Sequence, residues 1–594
     1  MEFMRKIMNL RTTKILALIT PLLGGVGGGL VGGELFTSCS DFLYDDSDIV
    51  ISLDRNHLAS DADTLWSVAG IINKMQVVAD RTLLLGEVRA DLVSVTENTD
   101  NDLRDLASFQ VKEDNKYNAP VDYYSIINNC NYFIAHADTS LRNNRNEYIF
   151  MKEYAAVKAF RAWTYLQLAC LYGQVPFVTE PILSKDQSEQ PFPMYDMGQI
   201  CDYFVKDLAP FAETETPGYG SIRNTESRLF FFPINVLMGD LNLWAGHYRE
   251  AAECYYKYIS TRNGKNSAYP LSTNTVRFMP NDSHWLSPID SWSLSAYTNE
   301  TFHSDSEIIT MIPGDSIPSE GNYSQLRNLF NTTEENEYKE SIVPSKALVN
   351  LSKAQKYCHY TTGGDYVFSP DGLPDNLSGD LRLRAVFSSS QMSQVINGKT
   401  IDNFVSNYKY STRNIHVYRR ATLYLRMAEA LNRAGFPHFA FQILKRGVNN
   451  TVIANEVLPY YPADAAWLAT FDFPDALYVL ETTAGLATEN TIGIHSRGSG
   501  YSAANTEYVM PTDASLSGQA LLDYQIEKVE DLIVDEEALE LAFEGYRFYD
   551  LMRIAMHRGD NSYLAKRVAC RDGVTDSGLL SKLSDSTSWY LPLK

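Results

Sequence analysis

Basic residues are in short supply. Lys and Arg number 51 against 73 Asp and Glu, a formal charge of −22 over 594 residues. A nucleic-acid partner needs clustered Lys and Arg for its phosphates, and adhesion to an anionic membrane needs basic side chains. The charge balance speaks against both. Cysteine is sparse too: there are seven, and none forms a C-x-x-C pair, so zinc-site and thioredoxin-like readings have no support. Cys130, Cys170, Cys201 and Cys254 fall in segments that read as helices, where a free thiol packs as a small hydrophobe, with disulfides as the alternative. The zinc-protease H-E-x-x-H, the nucleophile elbow G-x-S-x-G and the phosphate loop G-x-x-x-x-G-K-[ST] do not occur. Past residue 38, no stretch approaches the ~20 apolar residues that cross a bilayer.

Aromatic residues are plentiful, with 37 Tyr and 27 Phe, and the hydrophobic fraction of 45% is enough for a large core. So many phenols imply wet, amphipathic surfaces as well as interior, because a buried hydroxyl needs a partner.

The N-terminus reads as an address. Arg5, Lys6, Arg11 and Lys14 precede an apolar run from Ile15 to Leu23 that continues through Gly-rich sequence to Leu35, the layout of an export signal. Leu35-Phe36-Thr37-Ser38-Cys39 resembles a lipobox, in which the cysteine is lipidated and becomes the mature N-terminus. Glu34 and Phe36 depart from that pattern. Residues 1–38 are therefore expected to be a lipoprotein signal peptide and Cys39 the lipidation site, leaving a mature chain of charge −24. Several acyl chains at Cys39 would make an effectively permanent anchor. Gly27-Gly28-Gly29-Leu30-Val31-Gly32 matches G-x-G-x-x-G only formally, because the dinucleotide motif needs a strand before it and a helix after it inside a folded unit.

Downstream, helical periodicity dominates. In the segment 147–172, Ala155, Ala159, Ala162, Leu166 and Ala169 recur at spacings of three and four, one small-residue face that a neighbouring helix can approach closely. Gly173 and Pro176 end the helix, and another is predicted over 195–211. In 228–259, Leu241, Trp244, Gly246, Tyr248, Ala251, Ala252 and Tyr255 fall around a helix–turn–helix junction that looks like a tetratricopeptide repeat. Ala428, Ala430, Gly435 and Ala440 repeat the arrangement in 418–448. The last strong helix is predicted over 534–557, with Glu544–Arg547 and Asp550–Arg553 as i,i+3 pairs. Its carboxylates read as an ion-pair network fixing the helix, with a catalytic cluster as the alternative. The predicted fold is mainly α: stacked tetratricopeptide-like hairpins over about 147–261, 414–448 and 534–557, with a loop-rich irregular half, forming a single unit over 39–594.

These stretches, in this order, resemble the SusD/RagB family. The points of match are Glu153-Tyr154-Ala155 through Tyr172-Gly173-Gln174-Val175-Pro176, Tyr418-Arg419, and Ala428 through Gly435. Phe543-Glu544-Gly545-Tyr546-Arg547 is the most specific, and Tyr124 to Asn131 and Trp589 to Pro592 fit as early helix and closing segment. The resemblance implies a surface-exposed, lipid-anchored outer-membrane protein, partnered with a SusC-like TonB-dependent barrel, that captures oligosaccharides or, in some branches, peptides. It implies binding without catalysis and contact with the membrane only through the anchor; no cofactor or metal site is assigned from the residues, and a structural metal on a loop stays open.

A ligand site is sought in the loop-rich insertions, about 263–410 and 455–530, since long irregular segments in a globular protein are usually functional. Sugars offer flat C–H faces for aromatic rings and hydroxyl edges for amides and charged groups. Trp285, Trp292 and Tyr297 form the best aromatic cluster, and Asn98 and Asn101 lie in a polar loop suited to edge contacts. For each aromatic the alternative is packing between the irregular half and the helices. His495 and Arg497, in a Gly-rich loop, fit either an anion site or a structural turn. A surface glycosidase and a repeat protein without a small ligand stand as further alternatives, because paired carboxylates can converge from anywhere in a chain.

Overall fold

The computed structural model describes residues 61–222, 225–260, 297–298, 307–315, 318–355, 358–360, 366–368, 379–390, 394–396, 398–402, 404–445, 447–474, 493–498 and 508–593. The expected signal peptide, Cys39, Trp285 and Trp292 lie outside these residues.

Helix α1 (Asp61–Glu87) leads into strand β1 (Val93–Val95), the short α2 (Asn101–Ala107), α3 (Pro120–His136), α4 (Met151–Tyr172) and α5 (Met197–Leu208). A hairpin follows, α6 (Ile234–Ala245) and α7 (Tyr248–Ser260), then β2 (Ile308–Ile312), α8 (Leu326–Phe330) and β3 (Ile342–Pro344). Strand β4 (Ile415–Arg419) runs directly into α9 (Arg420–Arg433), which pairs with α10 (Pro437–Lys445). The chain closes with α11 (Gly518–Leu541), α12 (Arg547–Arg558), α13 (Ser562–Ala569) and α14 (Ser577–Leu583). Among the described residues, strands form only two-stranded antiparallel ribbons, including β1 with β3 and β2 with β4. No described helix is long and apolar enough to cross a membrane.

The helices pack as a column. α1 lies on α3, α3 on α4, α4 on α5, α5 on α6, α6 on α7, α7 on α9, and α9 on both α10 and α11. The small-residue face read in the sequence explains the middle of this stack, since Ala155, Ala159, Ala162 and Ala169 are all buried. The hairpin turns come where the glycines stand: Gly173, Gly246 and Gly435 have φ of 75°, 80° and 98°, left-handed values that a Cβ disfavours. Between α6 and α7 a large residue fills the space left by a small one. A Cβ at Gly239 would sit 2.5 Å from the Tyr255 ring, and the Tyr255 hydroxyl donates to Asp240 Oδ1 at 2.6 Å.

Three expectations are corrected. The predicted helix over 534–557 is two helices, because the chain turns between Leu541 and Arg547, with Phe543 and Gly545 at φ 67° and 90°. A Cβ on Gly545 would lie 2.7 Å from Leu83 Cα, and one on Gly86 would lie 1.7 Å from the Gly545 carbonyl oxygen. The end of α1 thus packs directly on this turn. The Glu544–Arg547 pair consequently does not form. Glu544 bonds Arg419 instead, and Arg547 bonds Asp91 at 2.7 and 2.9 Å, whereas Asp550–Arg553 forms at 2.9 Å. Finally, α11 begins at Gly518, inside the segment expected to be loop. Cys130, Cys170, Cys201 and Cys254 are free thiols, the first three buried.

Candidate functional site

The acidic residues of α11 organise the interior. Glu536 and Glu540, one helical turn apart, and Glu544 just beyond the helix end face cations from four distant segments. Arg382 Nη1 reaches Glu536 at 2.6 Å and Glu540 at 2.8 Å, and Arg382 Nη2 reaches Asp380 at 2.6 Å. Arg419 bonds Glu307, Glu540 and Glu544 at 3.0, 2.8 and 2.9 Å. Arg497 bonds Glu540 at 2.7 Å and Glu307 at 3.1 Å. Lys409 pairs with Glu544 and donates to the Ala542 carbonyl.

All of these groups are buried. Burial alone would raise the Glu540 carboxyl, but Arg497, Arg419 and Arg382 outweigh it and hold the group well below the usual carboxylate range. Glu544 is likewise lowered by Arg419 and Lys409 against the opposing effect of burial. Glu537 shows the opposite behaviour. Burial and then the Asp550 and Glu429 carboxylates push it well up, and among the described residues neither of its oxygens has a hydrogen-bond partner. Buried charges paired in the manner of Glu540 and Glu544 fix the geometry of the segments that carry them. The network ties α11 to β4, to the segment before β2 and to the 494–498 turn.

This frame settles the surroundings of two expected residues. His495 Nδ1 donates to the Glu536 carboxylate at 2.6 Å, and with Arg497 it serves a structural turn. Tyr297 is fully buried, its hydroxyl 3.5 Å from Glu540 and its ring beneath the Arg497 guanidinium at 5.3 Å. Its ring is thus interior packing, the alternative set against a ligand contact.

The polar loop after β1 is at the surface. Asn98 and Asn101 are exposed, and the loop is held by Arg104, which donates to the Thr99 and Thr96 carbonyls at 2.9 and 2.7 Å. Arg104 also lines an open groove of about 650 Å³ with Ser94, Gln110, Arg571, Asp572 and Lys582. The Ser341 hydroxyl donates to the Asn98 carbonyl at 3.3 Å, and the Ser341 N–H donates to the Leu329 carbonyl at 2.9 Å. A single short segment therefore connects the Asn98 loop to α8.

Two clefts flank the β2–β4 ribbon next to α8, and they share Pro313, Gly314 and Arg413. One, of about 240 Å³, is lined by Gln76, Asp80, Asn322, Tyr323 and Ser324. The other, of about 350 Å³, takes in Phe230, Arg327, Ser411, Thr412 and Asn414. Arg413 stands between them. Its guanidinium stacks on Tyr323 at 3.4 Å and bonds Glu335 at 3.0 and 3.1 Å, and Glu335 also accepts from the Tyr323 hydroxyl at 2.6 Å. Burial raises the Asp80 carboxyl, against the Ser324 hydroxyl, the Gln325 N–H at 2.7 Å and Arg413. An aromatic ring, amides and an arginine on rigid supports suit a polyhydroxylated ligand. The sequence reading missed these clefts. A signal was present in Asn322-Tyr323 and Arg413-Asn414, but the two dipeptides are about 90 positions apart.

Residues 502–583 match the family model described as SusD family. Solved structures share the fold along most of their length. A SusD superfamily protein from Bacteroides thetaiotaomicron is 16% identical, with 84% of this chain and 89% of that one covered and a TM-score of 0.51. One from Bacteroides vulgatus is 13% identical, covering 88% and 92%, with a TM-score of 0.53. A SusD-like carbohydrate binding protein from Bacteroides fragilis is 13% identical, covering 86% and 88%, with a TM-score of 0.52. No curated protein matches the sequence. The fold is therefore SusD-like, and residues 502–583 carry the segment that the family model matches.

Proposed function

We propose that this chain is a surface-exposed, lipid-anchored outer-membrane protein that captures a glycan and hands it, unchanged, to a SusC-like TonB-dependent barrel. The observation that carries the reading is the fold shared with the SusD-like carbohydrate binding protein from Bacteroides fragilis over 86% of this chain. The surface chemistry supports it, because the Asn98 loop and the two clefts at Arg413 offer amides, hydroxyls, an aromatic ring and an arginine fork on a rigid stack. Cys39 is the proposed lipid anchor. Trp285, Trp292, Asn98 and Asn101 are proposed ligand contacts, with the indoles stacking on sugar faces and the amides bonding hydroxyl edges. The buried carboxylates then serve the frame and do no chemistry.

Calorimetry of the mature chain against panels of oligosaccharides and peptides tests this. Trp285→Ala and Trp292→Ala are expected each to weaken glycan affinity by about two- to tenfold, since a stacked aromatic contact is worth on the order of 0.5–1.5 kcal/mol, with the helical circular-dichroism signal preserved. Unchanged affinity in both variants removes the indoles from the site. Binding of peptides in place of glycans replaces the ligand class.

A further inference from the structure

Acids outnumber bases across this chain, yet among the described residues the 350 Å³ cleft beside α8 has Arg327 and Arg413 in its wall and no Asp or Glu. The two arginines are not equivalent. Arg413 is balanced by Glu335, whereas Arg327 is exposed on α8 and, among the described residues, its guanidinium has no carboxylate partner. A third group is oriented by the backbone. Asn414 Oδ1 accepts from the Gly314 N–H at 3.1 Å, so the side chain's remaining polar atom is the Nδ2 donor. The two loops meet closely at this point: a Cβ on Gly314 would lie 2.0 Å from the Arg413 carbonyl oxygen. The Ser411, Thr412 and Thr225 hydroxyls complete the polar wall.

A neutral sugar hydroxyl both donates and accepts, and its sites commonly include a carboxylate among the acceptors. A carboxylate or sulfate only accepts, and it matches a wall of guanidinium and amide donors. We propose that this cleft holds the anionic substituent of an acidic glycan, either a uronate carboxylate or a sulfate ester; this rests on the glycan-capture reading above. The protein's overall negative charge does not forbid it. Exposed charges further than about 8 Å away are largely screened at physiological salt, so the local donors govern the contact.

The test is calorimetry of the full chain with three probes of matched length: an oligogalacturonide, a chondroitin sulfate oligosaccharide and a neutral gluco-oligosaccharide. At least one acidic probe is expected to bind more tightly than the neutral one, with affinity falling as NaCl is raised. The probe that responds tells carboxylate from sulfate. Arg327→Ala is expected to cost that probe on the order of tenfold, the worth of one charge-assisted hydrogen bond, and Arg327→Glu more, with no effect on the neutral probe. Asn414→Asp keeps the acceptor for Gly314 but replaces the donor with an anion, and it is expected to weaken the acidic probe as well. Preference for the neutral probe, or unchanged acidic affinity in Arg327→Glu with an unshifted melting temperature, overturns the cleft assignment and leaves glycan capture standing. Failure of all three probes to bind overturns the cleft assignment, and glycan capture is then decided by the wider oligosaccharide panel.

Discussion

Arg419 is the side chain on which the buried frame turns, and its removal should be felt throughout the fold. The guanidinium makes bonds to Glu307, Glu540 and Glu544 at 2.8–3.0 Å and donates to the Glu540 carbonyl at 2.7 Å. It is 1% exposed. Arg419→Met keeps most of the stem and deletes the charge, which leaves Glu544 with Lys409 alone and Glu540 with Arg382 and Arg497. Breaking a buried ion pair from one side costs about 3–5 kcal/mol, because a carboxylate is left without its partner away from water. At about 2.1 cal/mol/K per residue, a cooperative unit of roughly 500 residues has an unfolding entropy near 1 kcal/mol/K. The melting temperature should therefore fall by about 3–5 °C in differential scanning calorimetry. A second variant isolates the cause: Glu544→Gln in the Arg419→Met background removes one carboxylate from a cluster left short of cations, so the double variant should recover part of the loss as a positive coupling energy. A shift under 1 °C in Arg419→Met, or additive losses in the double variant, would refute the claim that these charges hold the loops to the stack.

Two further predictions concern the contact between α1 and the turn after α11. Glu87 is fully buried, accepts from the Gly545 N–H at 2.8 Å, and is pushed up to about 7 chiefly by burial, which the Gly545 N–H and Lys409 only partly oppose. The folded chain thus holds a proton here between pH 4.5 and about 7 that the unfolded chain releases. Stability from this group is fully present below the unfolded value, is lost as pH rises through the window, and falls by ~3 kcal/mol in all. Glu87→Gln keeps the acceptor and should melt higher than the parent at pH 8 but not at pH 4.5, and equal melting temperatures at both would contradict the assignment. Gly545→Ala meets both a φ of 90° and Leu83 Cα at 2.7 Å. It should destabilise by about 2–4 kcal/mol, readable as lower urea resistance, and a neutral result would mean that the turn relaxes easily.

The helical column was legible because its signals are local. Ala spacing marks the close-packed face of α4, and Gly246 and Gly435 stand where the hairpins reverse. The break between α11 and α12 was hidden for a physical reason: Glu544 and Arg547 have the spacing of a helical ion pair, while their true partners, Arg419 and Asp91, lie more than 100 positions away in sequence. The same holds for the whole charge network, whose members Glu307, Arg382, Arg419 and Arg497 come from separate segments with no common period. The candidate clefts were illegible likewise, since Tyr323 and Arg413 meet only through the β2–β4 ribbon and α8. Tyr297 illustrates the limit from the other side, because aromatic richness in a loop does not say which ring faces solvent and which one plugs the core.

Capture without conversion is the central claim, and one experiment addresses it directly. The mature chain is incubated with the tightest-binding oligosaccharide from calorimetry, and the ligand is recovered and sized by chromatography. The account predicts saturable binding heat and complete recovery of the oligosaccharide at its original length. Shorter products whose release is abolished by a single Asp or Glu substitution would contradict it.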